Sequence, residues 1–174
     1  MLQINESARV LPSRRLARPP AKNRRPWITR LSADDLPLME RFLLETDLET
    51  RVSRFGGATS DAGLVTYAQA TMRQARLLLG LFVDGKLRGL LEAHDCGERR
   101  MEVALLVATA FRRKGFSTSL LREAIAQRDR VDATRYQLIF APDNWAMRRI
   151  AEKSEARLDL VLGEFCADID LTRR

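Results

Sequence analysis

A mixed α/β fold, with a central sheet of about seven strands flanked by helices, is what this 174-residue chain predicts. Three observations carry the expectation. Short apolar runs alternate with segments whose apolar residues recur at helical spacing. In mid-chain, Asp84-Gly85-Lys86 joins two apolar runs, which is a hairpin signal. Beyond residue 101 single strands and helices alternate, and an order of this kind gives a mixed sheet with helices on both faces. The length suits one domain with a proper core and is too short for two ordinary ones.

Taken in order, Trp27 to Leu31 reads as a first strand. Ser32-x-x-Asp35 resembles a capping box, and Leu36, Met39, Phe42 and Leu43 follow at helical spacing. Arg54-Phe55-Gly56-Gly57 is a break, and Ser60 can cap a second helix running to about Arg73. Arg76 to Val83 and Leu87 to His94 form the hairpin, and a turn at Asp95 to Arg99 leads into a strand at 101–108. A helix to about Arg130, a strand from Tyr136 to Phe140 and a helix from Asn144 come next. Two strands, Leu158 to Leu162 and Glu164 to Ile169, close the chain. The order is β-α-α-β-β-β-α-β-α-β-β.

Bulk properties exclude several classes. No apolar stretch approaches the length of a membrane span. Cys96 and Cys166 offer neither metal spacing nor a disulfide framework, which points to a reducing cytoplasm. His94 is the one histidine, so a His-rich metal site is excluded and no metal is expected. The net charge of +7 suggests nucleic acid until it is located. Residues 1–26 hold Arg9, Arg14, Arg15, Arg18, Lys22, Arg24 and Arg25 against Glu6 alone, so the body at 27–174 is close to neutral. With four prolines and little apolar periodicity, 1–26 reads as a disordered basic tail. A near-neutral body with no helix-turn-helix and no aromatic RNA-binding pattern argues against nucleic acid as partner.

The segment from Val107 to Thr118, Val-Ala-Thr-Ala-Phe-Arg-Arg-Lys-Gly-Phe-Ser-Thr, carries most of the chemistry. It follows a buried-type strand (Val103, Ala104, Leu105, Leu106, Val107) and precedes Leu120, Leu121, Ala124 and Ile125 at helical spacing. A basic turn centred on Gly115 therefore opens a helix whose first-turn N–H groups and dipole form an anion site. Gly115 lets a ligand approach the backbone, and Ser117 and Thr118 can cap the helix or donate to a phosphate oxygen. An ordinary basic turn that binds nothing is the alternative reading of the same residues. The turn is neither a nucleotide P-loop nor a three-glycine dinucleotide fingerprint.

Arg112-x-x-Gly115-x-Ser117 resembles the Arg/Gln-x-x-Gly-x-Gly/Ala signature of the GNAT superfamily of acyl-CoA-dependent N-acetyltransferases, and Val107 matches that motif's strand-ending Val. Downstream, Asn144-Trp145-Ala146-Met147-Arg148-Arg149-Ile150-Ala151-Glu152-Lys153 resembles the family's next motif, an Asn opening a helix along the pantetheine arm. The resemblance covers roughly residues 27 to 171. It implies the acyl-CoA N-acyltransferase fold and acetyl-CoA as co-substrate. It also implies direct attack by an amine, in a ternary complex, with a small molecule or a protein as acceptor.

By the same resemblance, Val107, Arg112, Arg113, Lys114, Gly115, Phe116, Ser117, Thr118 and Asn144 bind the cofactor. A splay between neighbouring strands admits the pantetheine, and the backbone N–H of Leu106 or Val107 binds the thioester oxygen. Glu102, on the same strand, is the first candidate for general base, with Glu92 second and His94 suited by its unperturbed pKa. An ordinary outward-facing strand carboxylate is the alternative for Glu102. The Tyr that many relatives carry to protonate the leaving thiolate is Ala151 here, and their Leu-Gly-Phe after that helix is Ser154-Glu155-Ala156. Arg54-Phe55-Gly56-Gly57 resembles a segment that shapes the acceptor site in some relatives. The acceptor's identity is beyond the sequence, and a homodimer is left open.

Overall fold

Seven strands form one sheet in the order β1-β2-β3-β4-β5-β7-β6. They are β1 (Trp27–Arg30), β2 (Leu77–Val83), β3 (Lys86–Asp95), β4 (Arg100–Val107), β5 (Arg135–Phe140), β6 (Arg157–Val161) and β7 (Glu164–Asp170). The structure is a computed structural model that describes residues 26–172. The expected tail at 1–26 lies, but for Pro26, outside the described residues. All strand pairs are antiparallel except β4 with β5.

β2 and most of β3 are buried on both faces, as continuous apolar runs require of central strands. One face packs on α1 (Leu36–Leu44) and α3 (Asp61–Gln74) through Met39, Phe42, Leu43, Leu64, Leu78, Leu90 and Leu106. The other packs on α4 (Phe116–Ala126) and α5 (Trp145–Lys153) through Leu79, Leu91, Val103, Val107, Leu120, Leu121 and Ile150. Tyr136 belongs to this second core: its hydroxyl donates to the Ala124 carbonyl at 2.9 Å, and burial pushes the phenol up to about 12.

Caps start the helices where the sequence places them. Ser32 and Asp35 form the capping box, the Ser60 side chain accepts from Gly63 N–H at 3.2 Å, and the Asn144 side chain accepts from Met147 N–H at 3.1 Å. Two boundaries differ from the expectation. The first helical stretch divides into α1 and α2 (Leu48–Phe55), giving three helices between β1 and β2 rather than two. Asp47 causes the division: its backbone is extended, and its carboxylate accepts from Thr50 N–H at 2.7 Å, starting a new helix. The helix after the basic turn ends at Ala126, and the stretch Arg128–Arg130 is a separate 3-10 turn.

The pairing of β4 with β5 sets up the site. The parallel ladder runs Arg100↔Arg135, Met101↔Tyr136 and Glu102↔Gln137 and stops there. From Val103 onward β4 stays paired with β3, while β5 through Leu138 to Phe140 stays paired with β7. A wedge opens between the two strands, closed at the Glu102–Gln137 end.

Candidate active site

Which backbone groups face the wedge follows from register. In an antiparallel ladder alternate residues direct N–H and C=O to opposite neighbours. Ala108 N–H donates to the Arg88 carbonyl at 2.9 Å and Arg100 C=O accepts from Cys96 N–H at 3.1 Å, so the even-numbered residues of β4 bond towards β3. Leu106 N–H is therefore directed at β3, opposite Leu90. Leu105 and Val107 direct theirs into the wedge, beyond the last β5 pair. Of the two donors named from the sequence, Val107 has the required direction and Leu106 does not.

The basic turn leads from the wedge to α4. Gly115 sits in the left-handed region at φ 79 and caps α4 without a side-chain hydrogen bond. A Cβ there would meet no atom within 4 Å, so the space above it is open. Ser119 N–H is the first in the helix to find the Gly115 carbonyl, at 3.0 Å, which leaves the N–H groups of Phe116, Ser117 and Thr118 without a helical acceptor. The dipole adds positive potential at the same point.

The side chains of the turn divide by role. The Phe116 side chain packs against the core, so it offers the site only its N–H. Arg113 and Lys114 are exposed, and Lys114 Nζ donates to the Ala110 carbonyl at 3.2 Å. Arg112 is exposed too, but its guanidinium is held at two points: Nε donates to the Val107 carbonyl at 3.1 Å, and a terminal nitrogen donates to Thr50 Oγ1. Thr109 Oγ1 donates to Asp47 at 2.6 Å, and the hydroxyls of Thr50 and Thr109 lie 3.4 Å apart. Hydrogen bonds from Thr109 and Thr50 hold the Asp47 carboxyl well below the usual carboxylate range. Arg112 thus ties the end of β4 to α2 and shapes the turn. Asn144 spends its Oδ1 on capping α5, so it too acts by placing a helix.

On the face that carries α1 and α3, the closed end of the wedge bears a polar row. His94 stands opposite Glu102, and Glu102 opposite Gln137. Glu102 is exposed and faces out of the sheet beside the wedge. Glu92, one pleat away, is only 2% exposed. Its Oε1 accepts from Arg54 and from the Tyr67 hydroxyl, and its Oε2 lies 3.5 Å from His94 Nε2. Arg54 also donates to Tyr67 Oη at 2.7 Å. Burial works against the Glu92 carboxylate, but the hydrogen bonds from His94, Arg54 and Tyr67 prevail and hold it below the ordinary range. Burial, with Glu92 beside it, pushes the Tyr67 phenol far up, so Tyr67 is a donor.

Sequence reasoning named Glu92 and His94, but the Arg54–Tyr67–Glu92 cluster escaped it. Its one signal was the Arg54-Phe55-Gly56-Gly57 break. Ala151, at the position where the resemblance expects a tyrosine, is fully buried in the core face of α5. Among the described residues no group of His, Cys, Asp and Glu could hold a metal ion, and no helix is long and apolar enough to cross a membrane.

Solved structures share this architecture. The GNAT domain of S. lividans PAT is 16% identical, with a TM-score of 0.72 over 82% of this chain and 89% of that one. The PaiA N-acetyltransferase of Thermoplasma acidophilum, solved in complex with coenzyme A, is 17% identical, with a TM-score of 0.65 over 84% of this chain and 99% of that one. YncA of Salmonella typhimurium, a putative acetyltransferase solved with acetyl-CoA, is 12% identical, with a TM-score of 0.66 over 86% and 96%. A search of curated protein sequences finds no match. A model of the acetyltransferase (GNAT) family matches residues 43–154, a span that holds α2, the wedge, the basic turn and α5. The chain belongs to the GNAT family of acetyltransferases.

Proposed function

We propose that this protein transfers an acetyl group from acetyl-CoA to a primary amine by direct attack in a ternary complex. The observation that carries the reading is a strand wedge running into a helix N-terminus with three free N–H groups above an open glycine. The turn suits a pyrophosphate and the wedge suits an extended pantetheine arm. The likeness to structures solved with coenzyme A and acetyl-CoA supports the same co-substrate. In this reading the pyrophosphate takes the N–H groups of residues 116–118, with Arg113 and Lys114 beside it. The thioester oxygen takes a wedge-facing N–H, from Val107 or Leu105, which stabilises the oxyanion as the amine adds. Glu102, at the closed end of the wedge, takes the proton that the amine must lose. The two free cysteines, Cys96 and Cys166, suit a reducing cytoplasm, where we place the reaction.

A second reading, an acyl-CoA sensor of the same fold without turnover, is favoured by Ala151, which offers no hydroxyl to the leaving thiolate. Two measurements decide. Calorimetry should show acetyl-CoA binding that Gly115→Asp reduces at least tenfold. A side chain at φ 79 is strained even in open space, but Asp tolerates the left-handed region better than most residues, so the variant should stay folded with a somewhat lower melting temperature while setting a negative charge against the phosphates. Unchanged affinity would remove the cofactor reading. An acceptor screen following coenzyme A release then separates the enzyme from the sensor, which binds acetyl-CoA and releases nothing with any amine.

A further inference from the structure

His94 and Glu92 form a carboxylate–imidazole pair at the closed end of the wedge, and we propose that this pair receives the proton removed from the acceptor amine. The inference rests on the acetyl-transfer reading and adds to it the residue where that proton goes. Glu92 is buried and its Oε1 is committed to Arg54 and Tyr67. Its Oε2 is left for His94 Nε2, 3.5 Å away. A carboxylate can only accept, so the neutral imidazole that faces it carries its proton on Nε2. Nδ1 is then a bare acceptor. About a third of the His94 side chain is exposed, which gives the ring an outlet to water.

Placement on the sheet does the rest. His94 is directly opposite Glu102, the last β4 residue paired to β5. A proton that Glu102 takes from the amine passes, directly or through water, to Nδ1 one strand away and from the exposed ring to solvent. Glu92 is the positioning residue: it holds the tautomer and neutralises the imidazolium while it exists. The charged and titratable groups around the ring are Glu92 on its own strand, Glu102 across on β4 and Arg76 at the start of β2. Arg54 on α2 and Tyr67 on α3 complete the set, and the Arg76 guanidinium is turned to Asp95 at 3.3 Å. The balance is complete with these groups. The ammonium gives one proton to the relay, nitrogen adds to the thioester carbon, and the C–S bond breaks. The second proton leaves nitrogen with the departing sulfur, giving the amide and free coenzyme A thiol.

His94 is the chain's single histidine, so it can be observed in the intact protein without knowing the acceptor. Ring nitrogen-15 shifts of the wild type should show the neutral form protonated at Nε2 and bare at Nδ1, whereas Glu92→Gln should mix the two tautomers. With any amine the wild type acetylates, His94→Gln should lower kcat by roughly a hundredfold, the low end for a positioned acid–base group. It should leave acetyl-CoA affinity unchanged, and added imidazole should restore part of the rate. A neutral ring protonated at Nδ1, or a His94→Gln enzyme with wild-type kcat, overturns the proposal while leaving acetyl transfer standing. A wild type that acetylates no amine refutes the transferase reading itself, and the relay with it.

Discussion

Glu102→Gln is expected to lower amine-dependent coenzyme A release at neutral pH by roughly a hundredfold to ten-thousandfold, the usual worth of a general base. The amine acceptor arrives as an ammonium and attacks only once it has lost a proton. Glu102 is the carboxylate at the closed end of the β4–β5 wedge, exposed, on the face away from the α4 helix, and next to the last paired row. Glu92, the other acidic residue on this part of the sheet, is buried and committed to Arg54 and Tyr67, so it cannot take over. The amide of the variant keeps the shape and loses the charge, so acetyl-CoA affinity and melting temperature should be unchanged. The loss should shrink as pH rises, because more of the amine is then neutral without help. Full activity with a normal pH profile would make Glu102 a solvated strand carboxylate. The test is specific because no other residue in the row His94–Glu102–Gln137 carries a carboxylate.

Much of this was legible in the chain, and the parts that were not share a cause. Strand positions followed from apolar runs such as Leu77–Val83, and the hairpin followed from Asp84-Gly85-Lys86, because both are local signals. The basic turn is local as well: Gly115 does adopt a positive φ and does open a helix. The division at Asp47 was missed because Glu45-Thr46-Asp47 contains neither Gly nor Pro, and a side-chain cap alone starts the new helix. Leu106 and Val107 could not be told apart, since the direction of an N–H depends on the register with β3, which the Ala108–Arg88 bond reveals. The Arg54–Tyr67–Glu92 cluster joins residues 38 and 25 positions apart, which no spacing rule reaches. The turn's Arg112 matched the signature, yet its side chain braces α2 through Thr50. Identity at a motif position fixed the residue, and only packing fixed its task.

That cluster also predicts the largest change in stability. Arg54→Ala should destabilise the fold by roughly 3–5 kcal/mol at neutral pH, the cost of leaving a buried ion-pair partner uncompensated. Arg54 and Glu92 are 24% and 3% exposed, so water screens neither side of the pair effectively. The pH dependence should change character along with the magnitude. In the wild type the Glu92 carboxyl is held below its ordinary value, so its contribution is present above the unfolded carboxylate range, about pH 4.3. That contribution is lost as pH falls through the lower folded value. Without Arg54, burial dominates and pushes the same carboxyl upward, so protonation relieves the strain. The deficit of the variant relative to wild type should then be greatest near pH 7 and shrink as pH falls towards 4.5, measured by urea unfolding at both values. A deficit equal at the two pH values would show that Arg54 stabilises by packing against Phe55 and Tyr67 rather than by its charge. Replacing both partners, Arg54→Met with Glu92→Gln, should recover much of the loss at pH 7, since no charge then remains buried alone.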